Sequence, residues 1–456
     1  MRLKLSLGSL ALCAAFGLSA CSSDSSTSAG SENSQTTPIT SSTSGGGAAT
    51  SGILPATANA AFTADLYLNW KAFHYITLED EAARYPTWGS QFTEVFGPYL
   101  AQGQNAARII WSTYNSASCV IEEASGSNMY RRGCTVSEGI GYGMLITLFQ
   151  EDWEAFNRLW VYSTAYRNST YASGRGLMPW LTSSFSWDIP DQSSATDADL
   201  DIATSLILAY YKSGNAAYLN DALTLVAALW EHEVNKSNNL LYSGDTPTWK
   251  NAANPSYNLS YFSPVALRLF ALVDPAHDWT SVLNAQYAYM QQVQAAGTGV
   301  FPDWSDGSGN AINPPNNSAK NTYWTFNKES VRIPWRIAWD YYWFSDARAA
   351  SVLNTLNAFI MAKSNNDPTA IPPVNYSWNL SVGDDAVGQS LPVQWLAAWC
   401  ATGMGGNSMD WLNTCTNVLN ATAMQTSASS YFPNILQMMY SQLLNGLYVK
   451  PANMGI

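Results

Sequence analysis

The stretch Ser137-Glu138-Gly139-Ile140-Gly141-Tyr142-Gly143-Met144-Leu145-Ile146-Thr147-Leu148-Phe149 sets one carboxylate among three glycines where a helical pattern begins. Tyr142, Leu145, Ile146 and Phe149 recur at helical rather than strand spacing. Glycine inside a helix is unfavourable by about 1 kcal/mol relative to alanine, so these glycines predict a close approach to the backbone. A lone acid in so open a backbone invites a substrate. The same apolar stripe returns in Ile202, Leu206, Ile207 and Tyr210, in Leu219, Leu223, Val226, Ala227 and Trp230, and in Val352, Leu353, Leu356, Phe359 and Ile360. Most of the chain is therefore expected to be helical. Between the stripes lie long turn-rich stretches, at 183–194, 235–260 and 297–322, and connections of that length in a compact domain are usually functional. Helices joined alternately by tight and long connections describe a ring of helical hairpins with the long loops on one face.

The chain has 456 residues, 47% of them hydrophobic and only 12% charged, enough for a substantial core in one large domain or two ordinary ones. Its 33 acidic against 21 basic residues leave a formal charge of −12, which argues against nucleic acid, since phosphate binding requires Lys and Arg. The compositional anomaly is 19 Trp and 25 Tyr, flat rings with a polar handle that build cores and also stack on sugar faces.

The amino-terminal residues read as a processing signal. Arg2 and Lys4 precede a mostly apolar run from Leu5 to Phe16, and Leu18-Ser19-Ala20-Cys21 resembles a bacterial lipobox. By that resemblance residues 1–21 are a signal peptide, Cys21 is lipidated, and Ser22 after it favours the outer membrane or cell surface. An ordinary secretory signal is the alternative. No other segment is apolar and long enough to span a bilayer, so the lipid would be the sole membrane attachment. Residues 22–60 are expected to be a Ser/Thr/Gly-rich tether, which cannot repay the entropy of ordering, and residues 61–456 a single folded domain, read as a monomer. Cys119, Cys134, Cys400 and Cys415 remain once Cys13 and Cys21 are set aside. Local pairing, Cys119 with Cys134 and Cys400 with Cys415, is the simplest of three connectivities in an exported chain. No CxxC occurs and the three histidines have no ligand-like spacing, so neither a metal nor a cofactor is expected.

A second acidic cluster, Ala195-Thr196-Asp197-Ala198-Asp199-Leu200-Asp201-Ile202-Ala203, also opens a helical pattern. Glu138 fits a capping box with Thr135, and Asp197 and Asp199 can be read as first-turn acids facing a positive helix end. Yet a cap does not need three following glycines, and three alternating acids exceed what capping needs; Asp201 is the most structural of them. A third acid, Asp340, lies in Arg332-Ile333-Pro334-Trp335-Arg336-Ile337-Ala338-Trp339-Asp340, four residues after Arg336. An Asp among aromatic residues beside an arginine is expected to stay ionised, which suits a base. Glycosidic hydrolysis needs one protonated carboxyl and one carboxylate, and the chain offers candidates for both. It has no G-x-S-x-G elbow and no P-loop.

At these segments the sequence resembles glycoside hydrolase family 8. Thr135 to Met144 is similar to the family's acid segment, and Ala195 to Ala203 matches its A-[ST]-D-[AG]-D-x-x-[IM]-A signature throughout. Gly176-Leu177-Met178-Pro179-Trp180, Tyr261-Phe262-Ser263-Pro264 and Val331 to Tyr341 extend the likeness over most of the chain beyond the tether. The resemblance implies an all-α fold, an (α/α)6 barrel of six inner and six outer helices with long loops forming a substrate cleft. It implies an inverting, endo-acting enzyme with Glu138 as general acid, Asp340 as general base and Asp197 holding the sugar at the cleavage point. Trp180 becomes the first choice for a sugar-stacking platform, with Asp199, Tyr142, Trp335, Arg336 and Trp339 as further sugar contacts. The Ala-Thr-Asp-Ala-Asp form looks more like the family's cellulases, so β-1,4-glucan, as cellulose or mixed-linkage glucan, is the expected substrate, with xylan and chitosan as alternatives. From a different class, a non-catalytic glycan-capturing surface lipoprotein would also explain the anchor and the Trp content.

Overall fold

Six helices that are buried almost all round form a closed inner ring in the computed structural model, and six more pack outside them. The structure describes residues 54–84, 92–111, 133–170, 174–182, 191–315, 322–406 and 408–456, together with Cys119, Ala172 and Asn317. The inner ring comprises α4 (Ser137–Phe149), α6 (Thr196–Ser213), α8 (Pro264–Val273), α10 (Ile333–Phe344), α12 (Val393–Thr402) and α14 (Tyr431–Leu444), each touching the next, with α14 closing on α4. Outside them lie α1 (Ala60–His74), α5 (Trp153–Arg167), α7 (Ala216–Glu233), α9 (Trp279–Ala296), α11 (Ala347–Lys363) and α13 (Met409–Asn420). Two short helices, α2 (Leu78–Arg84) and α3 (Phe92–Leu100), and a two-stranded sheet of β1 (Tyr75–Thr77) and β2 (Ala107–Ile109) are additions to the two rings, with α3 packed on α5. The expected (α/α)6 barrel is the fold.

Sequence pattern separates the two rings. In α4 every residue except Glu138 is buried, as befits a helix with neighbours on all sides. In α7 burial is confined to Tyr218, Ala222, Leu225, Val226, Leu229 and Glu233, the single stripe of a helix that has one face on the core. The first five inner helices each turn into the outer partner that follows, tightly at residues 150–152 and 214–215, the return to the next inner helix is longer, and α14 packs on α1 from the start of the chain. All six inner amino termini therefore gather at one end of the barrel, where exposed N–H groups and aligned peptide dipoles favour negative charge.

The first helical residues at that end are set by a small antiparallel sheet, β3 (Thr135–Val136), β4 (Pro179–Thr182) and β5 (Asp191–Ser194), in that order. Val136 pairs with Leu181 and Pro179 with Ser194, with an irregularity between Pro179 and Leu181. Glu138 follows β3 by two residues, Trp180 lies within β4, and Asp197 follows β5 by three, so one sheet delivers three of the expected site residues.

One turn below that end, Arg336 of α10 reaches Asp201 of α6 through two bonds of 2.7 and 2.9 Å and donates its Nε–H to the Ser260 carbonyl at 2.6 Å. Both side chains are at most 1% exposed. Truncating one member of such a pair leaves a buried, uncompensated charge, so Asp201→Ala is expected to destabilise the protein by about 3–5 kcal/mol, read from a denaturant midpoint. An unchanged midpoint would refute the assignment. Arg336 is thus a barrel strut, not a sugar contact.

Cys119 bonds to Cys134 and Cys400 to Cys415, the local pairing. The folded part starts earlier than residue 61: the Ala56 N–H reaches Asn413 Oδ1 at 2.8 Å and the Asn59 N–H reaches Asn445 Oδ1 at 2.6 Å. The lipobox, Cys21 and residues 22–53 of the expected tether lie outside the described residues. Among the described residues no helix is long and apolar enough to cross a membrane.

Candidate active site

The amino-terminal end of the barrel holds a cleft of about 410 Å³ lined by Trp111, Val136, Ser137, Glu138, Trp180, Ala195, Asp197, Tyr261, Lys328, Glu329, Arg332, Tyr431 and Phe432. Its chemistry centres on Arg332, the residue just before α10, which is only 5% exposed. Nη1 of Arg332 bonds Glu138 Oε2 and lies 3.3 Å from Asp197 Oδ2, while Nη2 bonds Glu329 Oε2. One guanidinium thus ties three carboxylates from α4, α6 and the turn before α10. An arginine fork is suited to this because its donors diverge in one plane and it stays charged.

Glu138 makes no capping box, because Val136 caps α4 and no side chain bonds the cap. Its carboxyl turns instead to Arg332 and to the Tyr431 hydroxyl, which donates to Oε1 at 2.8 Å. Burial pushes this carboxyl above its ordinary range, and Arg332 and Tyr431 pull it back only in part. The expected close approach to the glycines is present, and what approaches is protein. A Cβ at Gly139 would lie 3.2 Å from the Tyr431 ring, one at Gly141 2.9 Å from the Asp201 Cβ, and one at Gly143 2.9 Å from the Ile109 side chain. They bring α4 close to its protein neighbours, and Gly139 lets Tyr431 reach Glu138.

Asp197 is buried, and its Oδ1 has no hydrogen-bond partner. Burial raises its carboxyl to about 7, against the opposing pull of Arg332. Glu329 is the most accessible of the three, with its side chain 26% exposed. Asn258 Nδ2 donates to its Oε2 at 2.7 Å, and its backbone N–H donates to Asp303 Oδ1 at 3.1 Å. The same Asp303 oxygen accepts the N–H groups of Asn327 and Ser330 and the Ser330 hydroxyl, at 2.9 to 3.2 Å. A buried carboxyl therefore cages the turn that presents Glu329.

Asp340 does not join this group. It lies eight residues beyond Arg332 on α10, about 12 Å deeper at the helical rise. There it is fully buried, gripped by Arg268 through bonds of 2.7 and 3.2 Å and by the Tyr287 hydroxyl at 2.5 Å. Burial pushes its carboxyl up, with Arg268 and Tyr287 opposing, and its depth on α10 and these bonds keep it from facing the cleft. Trp335 and Trp339 are likewise barrel interior, each 0% exposed and packed edge-on or tilted against other rings. Tyr142 stands edge-on to Trp335 and is also buried. Asp199 is buried outside the cleft lining, its Oδ1 accepting the Met178 N–H at 3.0 Å. Of the expected residues the cleft brings together Glu138, Asp197 and Trp180.

Sequence reading missed Glu329, Arg332, Tyr431, Tyr261 and Trp111. For Glu329 the available signal was its place three residues before Arg332, just outside the helix that Pro334 opens. Tyr261 lies under Arg332, 5.6 Å from ring centre to guanidinium carbon, and Trp304 and Trp249 continue the aromatic run beyond it. Among the described residues no group of three or more His, Cys, Asp or Glu side chains could hold a metal ion.

Two concentric helical rings with carboxylates gathered at their shared amino-terminal end define an (α/α)6-barrel protein with an acid-lined, aromatic-rimmed cleft. Within that class the chain belongs to family 8 of the glycosyl hydrolases, whose model it matches over residues 86–446. Endoglucanase C of Ruminiclostridium cellulolyticum is 31% identical over 268 residues, which cover 56% of this chain and 55% of that protein. Endoglucanase 2 of Ruminiclostridium josui is 28% identical over 366 residues, 76% of this chain and 74% of that one. The chain thus spans about half the length of the first relative. Among solved structures, a beta-1,3-1,4-glucanase from Paenibacillus sp. X4 superposes with a TM-score of 0.67 at 22% identity, covering 87% of this chain and 95% of that one. At this identity it bears on the fold.

Proposed function

We propose that the protein is an endo-acting, inverting glycosidase of β-1,4-glucan in which Glu138 is the general acid and Glu329, rather than Asp340, the general base. The observation that carries this reading is the pair of carboxyls on the two nitrogens of Arg332, facing one aromatic-lined cleft. A carboxyl whose proton affinity is raised by burial suits donation to a leaving oxygen near neutral pH, which is the environment of Glu138. Glu329, held by Asn258 and Arg332 at the solvent side, suits activation of a water. The unpartnered Oδ1 of Asp197 is a ready acceptor for a sugar hydroxyl at the cleavage point. Trp180 at one wall offers a stacking face for a neutral sugar ring. The endoglucanase names of the relatives favour glucan over xylan or chitosan.

Incubating the protein with carboxymethylcellulose, lichenan, xylan and chitosan, while following reducing ends and the first-formed anomer by proton NMR, tests the reading. Initial α-anomer from a β-glucan is the expected result, because single displacement inverts the anomeric centre. Initial β-anomer would overturn the acid and base roles. Binding without hydrolysis of all four would favour the glycan-capturing alternative. Export and lipidation at Cys21 stay part of the proposal, tested by palmitate labelling of the wild type against Cys21→Ala.

A further inference from the structure

Glu329 stands on no α-helix. It precedes the single turn Ser330–Arg332 that leads into α10, so the carboxylate that must meet an attacking water is carried by a turn. Such a carboxylate needs outside support, because a displacement of about 1 Å at a reacting group can lower a rate by about 10²-fold. The support comes from Asp303, which is 2% exposed and lies in the long connection between α9 and α10. Its Oδ1 takes the N–H groups of Asn327, Glu329 and Ser330 and the Ser330 hydroxyl, so four donors from the turn converge on one oxygen. We propose that Asp303 is the positioning residue of the general base, acting on catalysis only through Glu329, by fixing the turn from which that carboxylate meets the water. This role rests on the proposed assignment of Glu329 as the base.

A second loop holds the carboxylate itself. Among the described residues, the bonds to the Glu329 carboxylate come from Asn258 Nδ2 at 2.7 Å and from Arg332 Nη2, and both end on Oε2. Oε1 is then the oxygen that takes the proton of a water whose oxygen bonds the anomeric carbon, while the leaving oxygen takes the proton of Glu138. Asn258 is itself oriented, its Oδ1 accepting the Ser260 N–H at 3.0 Å and the Ser260 hydroxyl at 2.7 Å. A bridge beside both supports keeps the two loops in register: the Tyr257 N–H donates to the Ser305 carbonyl at 2.8 Å, and the Ser305 N–H to the Tyr257 carbonyl at 3.0 Å. Tyr257 adjoins Asn258, and Ser305 is two residues after Asp303. The Tyr289 hydroxyl fastens this bridge to α9, donating to Ser305 Oγ at 2.8 Å. Backbone and side chain of Glu329 are thus placed by two linked loops, from the long connections at 235–260 and 297–322. Burial raises the Asp303 carboxyl, and the Glu329 charge adds to this against the Ser330 bonds. A protonated carboxyl keeps a carbonyl oxygen that accepts, so the cage does not depend on charge and Asn can reproduce it.

Asp303→Ala and Asp303→Asn, made in the full chain, separate the cage from the chemistry. Hydrogen exchange over residues 327–330, read by mass spectrometry, is expected to be slow in the wild type and in Asp303→Asn and faster in Asp303→Ala. Unchanged exchange in Asp303→Ala would overturn the cage. On β-glucan below its melting range, Asp303→Ala is expected to lose about 10²-fold in kcat with KM little changed, and Asp303→Asn to recover most of the wild-type rate. The decisive readout is the double variant: in a Glu329→Gln background, Asp303→Ala should lower kcat no further, because the group it positions is already gone. An equal loss in both backgrounds would mean a merely structural role and overturn the proposal, as would a wild-type kcat in Asp303→Ala. If Asp303→Ala does not fold, Asp303→Glu, which keeps an acceptor but moves it by one methylene, is read by the same cycle. A wild-type kcat in Glu329→Gln would instead remove the base and this role with it, while the exchange result would still show whether Asp303 holds the turn.

Discussion

Glu138→Gln is expected to lower kcat on β-1,4-glucan by about 10²–10⁴-fold, the usual contribution of a positioned proton donor, with the Tm nearly unchanged. Gln keeps the shape of the side chain and an oxygen for Arg332 or Tyr431, so the loss should be chemical rather than structural. A dinitrophenyl glycoside makes the distinction sharp: its leaving group departs as a stable phenolate without a proton, so on it the variant should recover most of the wild-type rate. The pH profile carries the same signature. Burial raises the Glu138 carboxyl, a donor works only while protonated, and so wild-type kcat should fall as pH rises through that raised value. Equal losses on both substrates would refute the acid assignment.

Glu329→Gln should show a loss of comparable size, but on both kinds of substrate, because activating water is needed whatever the leaving group. Asp340→Asn is the control that separates the two candidate bases. Its carboxylate answers Arg268 and Tyr287 deep on α10, so its loss should reduce stability by about 1.5–3 kcal/mol and leave kcat close to wild type below the melting range. The reverse pattern, with Asp340→Asn inactive and Glu329→Gln active, would return the base to Asp340 and sink the cleft as described.

These contrasts trace where sequence reasoning succeeds. Glu138 and Asp197 were legible because each opens a helix, directly after a strand, in a run of small residues that leaves the acid conspicuous. Asp340 was misread because an acid amid Trp and Tyr looks alike whether the rings line a cleft or fill a barrel. Arg336 looked like its partner at i+4 spacing, yet it turns across the ring to Asp201. Glu329 was passed over because it sits in a turn, on no helical stripe, and its partner Glu138 is 191 positions away in sequence.

Apolar periodicity along single helices and the alternation of tight and long connections are local properties, set by 3.6-residue geometry and turn chemistry. They sufficed for the helical class and the ring of hairpins, while the even cysteine count pointed to the local disulfides and the clusters at two helix starts marked two of the three cleft acids. Which end of each inner helix meets the cleft, which acids share a guanidinium and what the glycines accommodate depend on how six helices close into a ring. That closure brings α4, α6, α10 and α14 together across tens to hundreds of residues of intervening chain, and contact between such distant segments leaves no spacing in the sequence to read.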